Sequence, residues 1–165
     1  LKCDTIVLSV GLIPEMNLAS FVKTSQITGG AVVNEFYQTD VPWLFSCGNI
    51  LHVHDLVDNV ALEASQTGEY AAFYALKKMP KLARYIEVKA SEDFSYVLPN
   101  TLYEGFGNVT VKFRLKNKVV KKTLTAKCGS NVLGKKFILA GVPGEMMSLT
   151  FDKSGAVGEI ILSVE

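Results

Sequence analysis

Hydrophobic positions divide the chain into two regimes. Up to about residue 80 the apolar residues come in short unbroken runs and one long periodic stretch; beyond about residue 94 they alternate with polar ones. Thr5-Ile6-Val7-Leu8-Ser9-Val10 ends at Gly11 and is stopped by Pro14, the pattern of a buried strand in an α/β sheet. Leu18 to Phe21 suits one or two helical turns. Gly29-Gly30 marks a turn before a second short strand, Ala31-Val32-Val33. Val41-Pro42 introduces a third, Trp43-Leu44-Phe45-Ser46-Cys47, which ends at Gly48. The spacing then predicts a helix from about Asp58 to Met79. Asp55 or Asp58 is placed to cap it, Lys77, Lys78 and Lys81 complement the dipole at its far end, and Pro80 stops it. One helix face reads Val60, Ala64, Gly68, Ala71, Ala75, a stripe of small residues suited to close packing against a sheet or another helix.

After Pro80 the composition changes. Residues 81–93 are polar and charged and read as a linker. Beyond them Val109, Val111, Phe113 and Leu115 alternate with Thr110, Lys112 and Arg114, and further strand patterns run over 120–128, 136–140, 146–151 and 157–164. Asn117-Lys118, Gly129-Ser130-Asn131, Pro143-Gly144 and Asp152-Lys153-Ser154-Gly155 supply turn chemistry between them. The expected organisation is an α/β region over 1–80, the linker, and an all-β domain over 94–165 built as a small antiparallel β-sandwich.

Composition narrows the function classes. Of 165 residues, 48% are hydrophobic and 20% charged, which are globular values. Lys plus Arg is 17 and Asp plus Glu is 16, so no basic excess supports nucleic-acid binding. No apolar run approaches the roughly 20 residues needed to cross a bilayer, and no signal-peptide pattern precedes the first strand-like run. Cys3, Cys47 and Cys128 are odd in number and widely spaced, with no CxxC. That argues against a disulfide framework and points to a reducing, cytoplasmic setting. Leu1 to Gly11 already read as the interior of a longer chain, so a C-terminal fragment is expected.

Two segments bear on chemistry. Thr39-Asp40-Val41-Pro42-Trp43-Leu44-Phe45-Ser46-Cys47-Gly48-Asn49 is an apolar strand closed by Gly and a polar side chain, where backbone can approach a ligand closely. It resembles the second flavin-binding motif of the pyridine nucleotide–disulfide oxidoreductase superfamily. Asp4 to Glu15 resembles the point at which that superfamily leaves its NAD(P)-binding domain and re-enters its FAD domain. The likeness covers Lys2 to about Met79. It is closer to a subgroup of FAD-dependent NAD(P)-linked oxidoreductases found near anaerobic glycerol-3-phosphate dehydrogenases, through Cys47-Gly48-Asn49-Ile50-Leu51-His52-Val53-His54-Asp55-Leu56-Val57-Asp58. Tyr96-Val97-Leu98-Pro99 and Pro143-Gly144-Glu145-Met146 resemble features of that subgroup's β-rich extension.

The resemblance implies an α/β fragment of an FAD-binding Rossmann-like domain followed by the β-sandwich, with FAD as cofactor and NAD(P)H as co-substrate of the parent enzyme. Gly48 and Asn49 would meet the ribityl chain, and the N–H groups of Val57, Asp58, Asn59 and Val60 would face the pyrimidine end of the flavin. The superfamily usually has Asp at position 49. Asn keeps a carbonyl acceptor and adds an NH2 donor but lacks the charge. The pyrophosphate fingerprint GxGxxG is absent; Gly105-Phe106-Gly107 leads into a strand and reads as a turn. The expected partners are therefore N-terminal FAD/NAD(P)-binding segments, a second copy through strand exchange, or a redox protein. The competing expectation is a non-catalytic β-sandwich interaction module. No catalytic residue is assigned. His52-Val53-His54-Asp55 has the spacing of a small metal site, but with only two histidines in the chain structural hydrogen bonding is the expected role. Cys47 reads as buried and inert, and Lys116, Lys118, Lys121, Lys122 and Lys127 as a solvated face.

Overall fold

A computed structural model describes residues 2, 4–5, 12–80 and 84–165. The expected strand at 5–10, with Gly11, lies almost wholly outside the described residues, as do Cys3 and residues 81–83. What is described is a mixed α/β structure with one α-helix and two β-sheets.

The chain from 12 to 56 runs through turns and two 3-10 turns, Asn17–Ala19 and Gly48–Ile50. The strands expected at 31–33 and 43–47 are single bridges instead: Thr24 with Ala31, and Gln38 with Phe45. Local polar side chains explain this. Asn34 Oδ1 accepts from the N–H of Phe36 at 2.9 Å and of Gln38 at 3.2 Å, and Thr39 Oγ1 donates to the Leu44 carbonyl at 3.0 Å. These bonds close turns where a ladder would have to continue. A small core of Val22, Ala31, Val33, Leu51 and Leu98 holds the segment together. Gly30 is required there, because a Cβ on it would lie 1.9 Å from the Leu51 carbonyl oxygen.

Helix α1 spans Val57–Ala75. Leu56 occupies its N-cap position and no side chain caps it; Asp55, expected as a cap, is taken by other partners described below. The helix ends four residues before the expected Met79. Lys77 turns to φ 56°, its N–H bonds the Tyr74 carbonyl at 3.0 Å, and the Lys78 N–H bonds the Phe73 carbonyl at 2.8 Å. That is a Schellman closure, and it stops the helix before Pro80 can. The small-residue stripe is not the packed face: Ala64, Gly68 and Ala75 are exposed, whereas Glu63 and Thr67 are the buried positions. A polar contact ties the helix to the second sheet, the bond from Lys112 Nζ to the buried Glu63.

Eight strands follow: β1 Tyr85–Ala90, β2 Phe94–Leu98, β3 Thr101–Tyr103, β4 Asn108–Leu115, β5 Val119–Cys128, β6 Asn131–Gly141, β7 Met147–Asp152 and β8 Ile160–Val164. They form a five-stranded sheet, β3-β1-β8-β5-β6, and a three-stranded sheet, β2-β4-β7. Two expectations are corrected. Tyr85–Ala90, read as linker, is a strand, with Ile86 and Val88 pointing into the core between charged neighbours. The sheets are also not purely antiparallel, since β1 and β8 pair in parallel with Val88 opposite Ile160. Alternation sets the core as expected in β4, where Val109, Val111, Phe113 and Leu115 are buried. Leu124, Ala126, Leu149, Phe151, Ile160 and Leu162 join them in one core shared by both sheets.

Candidate functional site

The turn at Gly48, the start of α1 and the outer face of β4 meet around one carboxylate. Glu63, in the second turn of α1, is completely buried. It accepts four hydrogen bonds: from the Gly48 N–H at 2.7 Å, His54 Nε2 at 3.0 Å, His52 Nε2 at 3.1 Å and Lys112 Nζ at 2.6 Å. A carboxylate has about four lone-pair positions, so all are filled by donors. Burial alone would raise its pKa. The bonds from His52 and Lys112 outweigh burial and hold it down at about 2.

These bonds fix the proton positions. An ionised carboxylate only accepts, so both imidazoles carry a proton on Nε2. Nδ1 of His52 lies 3.1 Å from the Tyr96 hydroxyl, which in turn receives Nε of Arg114 at 3.2 Å. Arg114 also donates to the Val53 carbonyl at 3.0 Å, to the Gly144 carbonyl and to Asp55. The second Asp55 oxygen takes the Met146 N–H at 2.7 Å. Burial would raise the Asp55 carboxyl, but the bonds from Arg114 and Met146 lower it. The loop from Val53 to Asp55 is thus fastened to β4 and to the turn before β7.

His54 is the exception. Its side chain is 1% exposed, yet its Nδ1 is buried without a partner. Burial lowers its pKa; attraction to Glu63 opposes this, and His52 and Lys112 reinforce it. A neutral ring with its proton on Nε2 presents an unprotonated Nδ1, so the loop holds a free acceptor.

His52, His54 and Glu63 lie close enough for their ligating atoms to be within 4.8 Å of one another. The donor set argues against a cation there. Lys112 already places an ammonium on Glu63, and each histidine directs an N–H at it, so a metal would have to displace all three. Asp55 faces Arg114 instead of the histidines.

The residues assigned from sequence fall into two groups. Gly48 and Asn49 open the second 3-10 turn, with Gly48 at φ +69°, a conformation that favours glycine. Asn49 is exposed; its Oδ1 accepts the His54 N–H at 3.1 Å, which leaves its NH2 group free to donate. Val60 comes back against the turn, since a Cβ on Gly48 would touch its Cγ1 at 3.5 Å. Val57, Asp58 and Asn59 form the open first turn of α1, with Val57 78% exposed. Cys47 is half-buried and free. Sequence reasoning missed Glu63, Tyr96, Lys112 and Arg114. Only the alternation of Lys112 and Arg114 on the outward face of β4 hinted at a shared surface; Glu63 has no local signal. Comparison with protein-family models, curated proteins and solved structures found no match.

Proposed function

We propose that the chain is the C-terminal part of an FAD-dependent oxidoreductase passing hydride between NAD(P)H and FAD, with Gly48 to Val60 as its share of the flavin site. The supporting observation is that the segment resembling the flavin motif forms a glycine turn backed by Glu63, next to a helix start that no side chain caps. The first 80 residues would then be part of a Rossmann-like FAD domain.

Asn49 would donate its NH2 group to a ribityl hydroxyl oxygen. The first-turn N–H groups of Val57, Asp58, Asn59 and Val60 would meet the electron-rich edge of the ring. Exposed Leu56 and Val57 offer apolar surface beside it. Glu63 would keep the Gly48 turn and His54 in place. Bound FAD would supply the redox chemistry, while the protein supplies orientation and electrostatics. The pyrophosphate-binding glycines would come from another segment or partner, which makes the site composite.

The test is a titration of FAD into the chain, followed by flavin fluorescence. Saturable quenching is expected, weakened roughly two- to tenfold by Asn49→Leu for one lost hydrogen bond. Equal binding by the two proteins, or no binding by either, contradicts the proposal.

A further inference from the structure

A cavity of about 490 Å³ shares no residue with Gly48 to Val60; it lies between α1, the loop at 35–37 and the β3–β4 turn. Phe36, Tyr70, Tyr103 and Phe106 line it, as do Glu35, Glu104 and Lys153. Phe36 lies edge-on to Tyr70, with ring centroids 5.0 Å apart, and stacks on Tyr103 at 6.1 Å.

The charges here are unequal. Lys153 Nζ donates to both oxygens of Glu35, at 2.6 and 2.8 Å, and to the Tyr103 carbonyl at 2.7 Å. Both side chains of this pair are 8% exposed. An ammonium has three donors, so Lys153 has none left for an anionic ligand. Each Glu35 oxygen keeps a lone pair, and Glu104 adds a second carboxylate to the lining. Two carboxylates against one ammonium leave the cavity with a net negative charge, beside aromatic faces that are themselves negative. Burial, followed by repulsion from Glu35 and Glu69, raises the Tyr70 hydroxyl's pKa. Phe106 is 91% exposed, a large apolar side chain left in water at the cavity's edge.

We propose that this cavity binds an organic cation, an ammonium group on an apolar body, with the head group held by the Phe36 and Tyr70 rings and the Glu35 and Glu104 carboxylates, and the body covering Phe106. Its volume lies within the range of small-molecule sites. The proposal does not depend on flavin.

The test titrates choline and its uncharged carbon analogue 3,3-dimethyl-1-butanol into the full chain, followed by NMR of the aromatic resonances. Choline is expected to bind saturably and about tenfold more tightly than the alcohol. Phe106→Ala and Glu104→Gln, at positions outside the core, are each expected to weaken choline severalfold with the amide spectrum otherwise unchanged. Equal binding of the two probes, binding of neither, or choline binding indifferent to both substitutions would overturn the proposal.

Discussion

Replacing Glu63 by Gln tests the network that ties α1 to the sheets. The amide keeps one acceptor oxygen but turns an NH2 group toward atoms that are themselves donors, and it leaves Lys112, 18% exposed, without its counter-charge. A glutamate titrating near 4.5 in the unfolded chain and held at about 2 in the fold is stabilised by about 3 kcal/mol at neutral pH. Breaking a buried pair from one side costs a similar 3–5 kcal/mol, as an order of magnitude. The sign follows from linkage. The folded carboxyl has the lower pKa, so its contribution is complete above about pH 4.5 and is lost as pH falls toward 2. Urea unfolding, followed by circular dichroism at pH 7, 5 and 3.5, should show Glu63→Gln less stable by about 3 kcal/mol at pH 7 and 5, and the gap narrowing at pH 3.5. A gap under about 0.5 kcal/mol at pH 7, or one that does not change with pH, would refute the reasoning.

Other predictions follow from the same contacts. His54 is held neutral below its usual value, so its share of stability is full above pH 6.5 and falls as the solution is acidified; His54→Gln should flatten wild-type stability between pH 6.5 and 5 in the same urea assay. Lys153→Met leaves the Glu35 carboxylate buried and unpaired, with an expected loss of about 3–5 kcal/mol by thermal or urea unfolding. Gly30→Ala should be worse tolerated than Gly68→Ala, because its Cβ meets the Leu51 backbone whereas the Gly68 Cβ meets open space; the comparison of midpoints checks this.

β4, β7 and β8 were legible because each carries its own alternation of buried and exposed residues, whereas β5 buries Leu124, Thr125 and Ala126 in a row and β6 buries only Ile138 and Gly141, so those two showed through their apolar and β-branched residues and the turns between them. β1 was hidden because only Ile86 and Val88 mark its inner face, amid Glu87 and Lys89. Its parallel pairing with β8 joins distant parts of the chain, which no local pattern encodes. The helix end depended on Lys77 adopting a left-handed conformation that glycine usually supplies. In the site, Gly48 and Asn49 stood out through local order, strand then glycine. Glu63 did not, because its meaning comes from His52, His54 and Lys112, which only the fold brings to it, and a lone Glu on a helix looks like a solvated residue until those partners arrive.

The central claim is that Gly48 to Val60 contacts flavin. It is tested most directly by mapping FAD-induced changes in the backbone amide spectrum of the isotope-labelled chain. The account predicts shifts concentrated at Gly48, Asn49, His54 and Val57 to Val60, and much reduced in Asn49→Leu. Absence of shifts at those amides under saturating FAD, or shifts confined to another face, would contradict it.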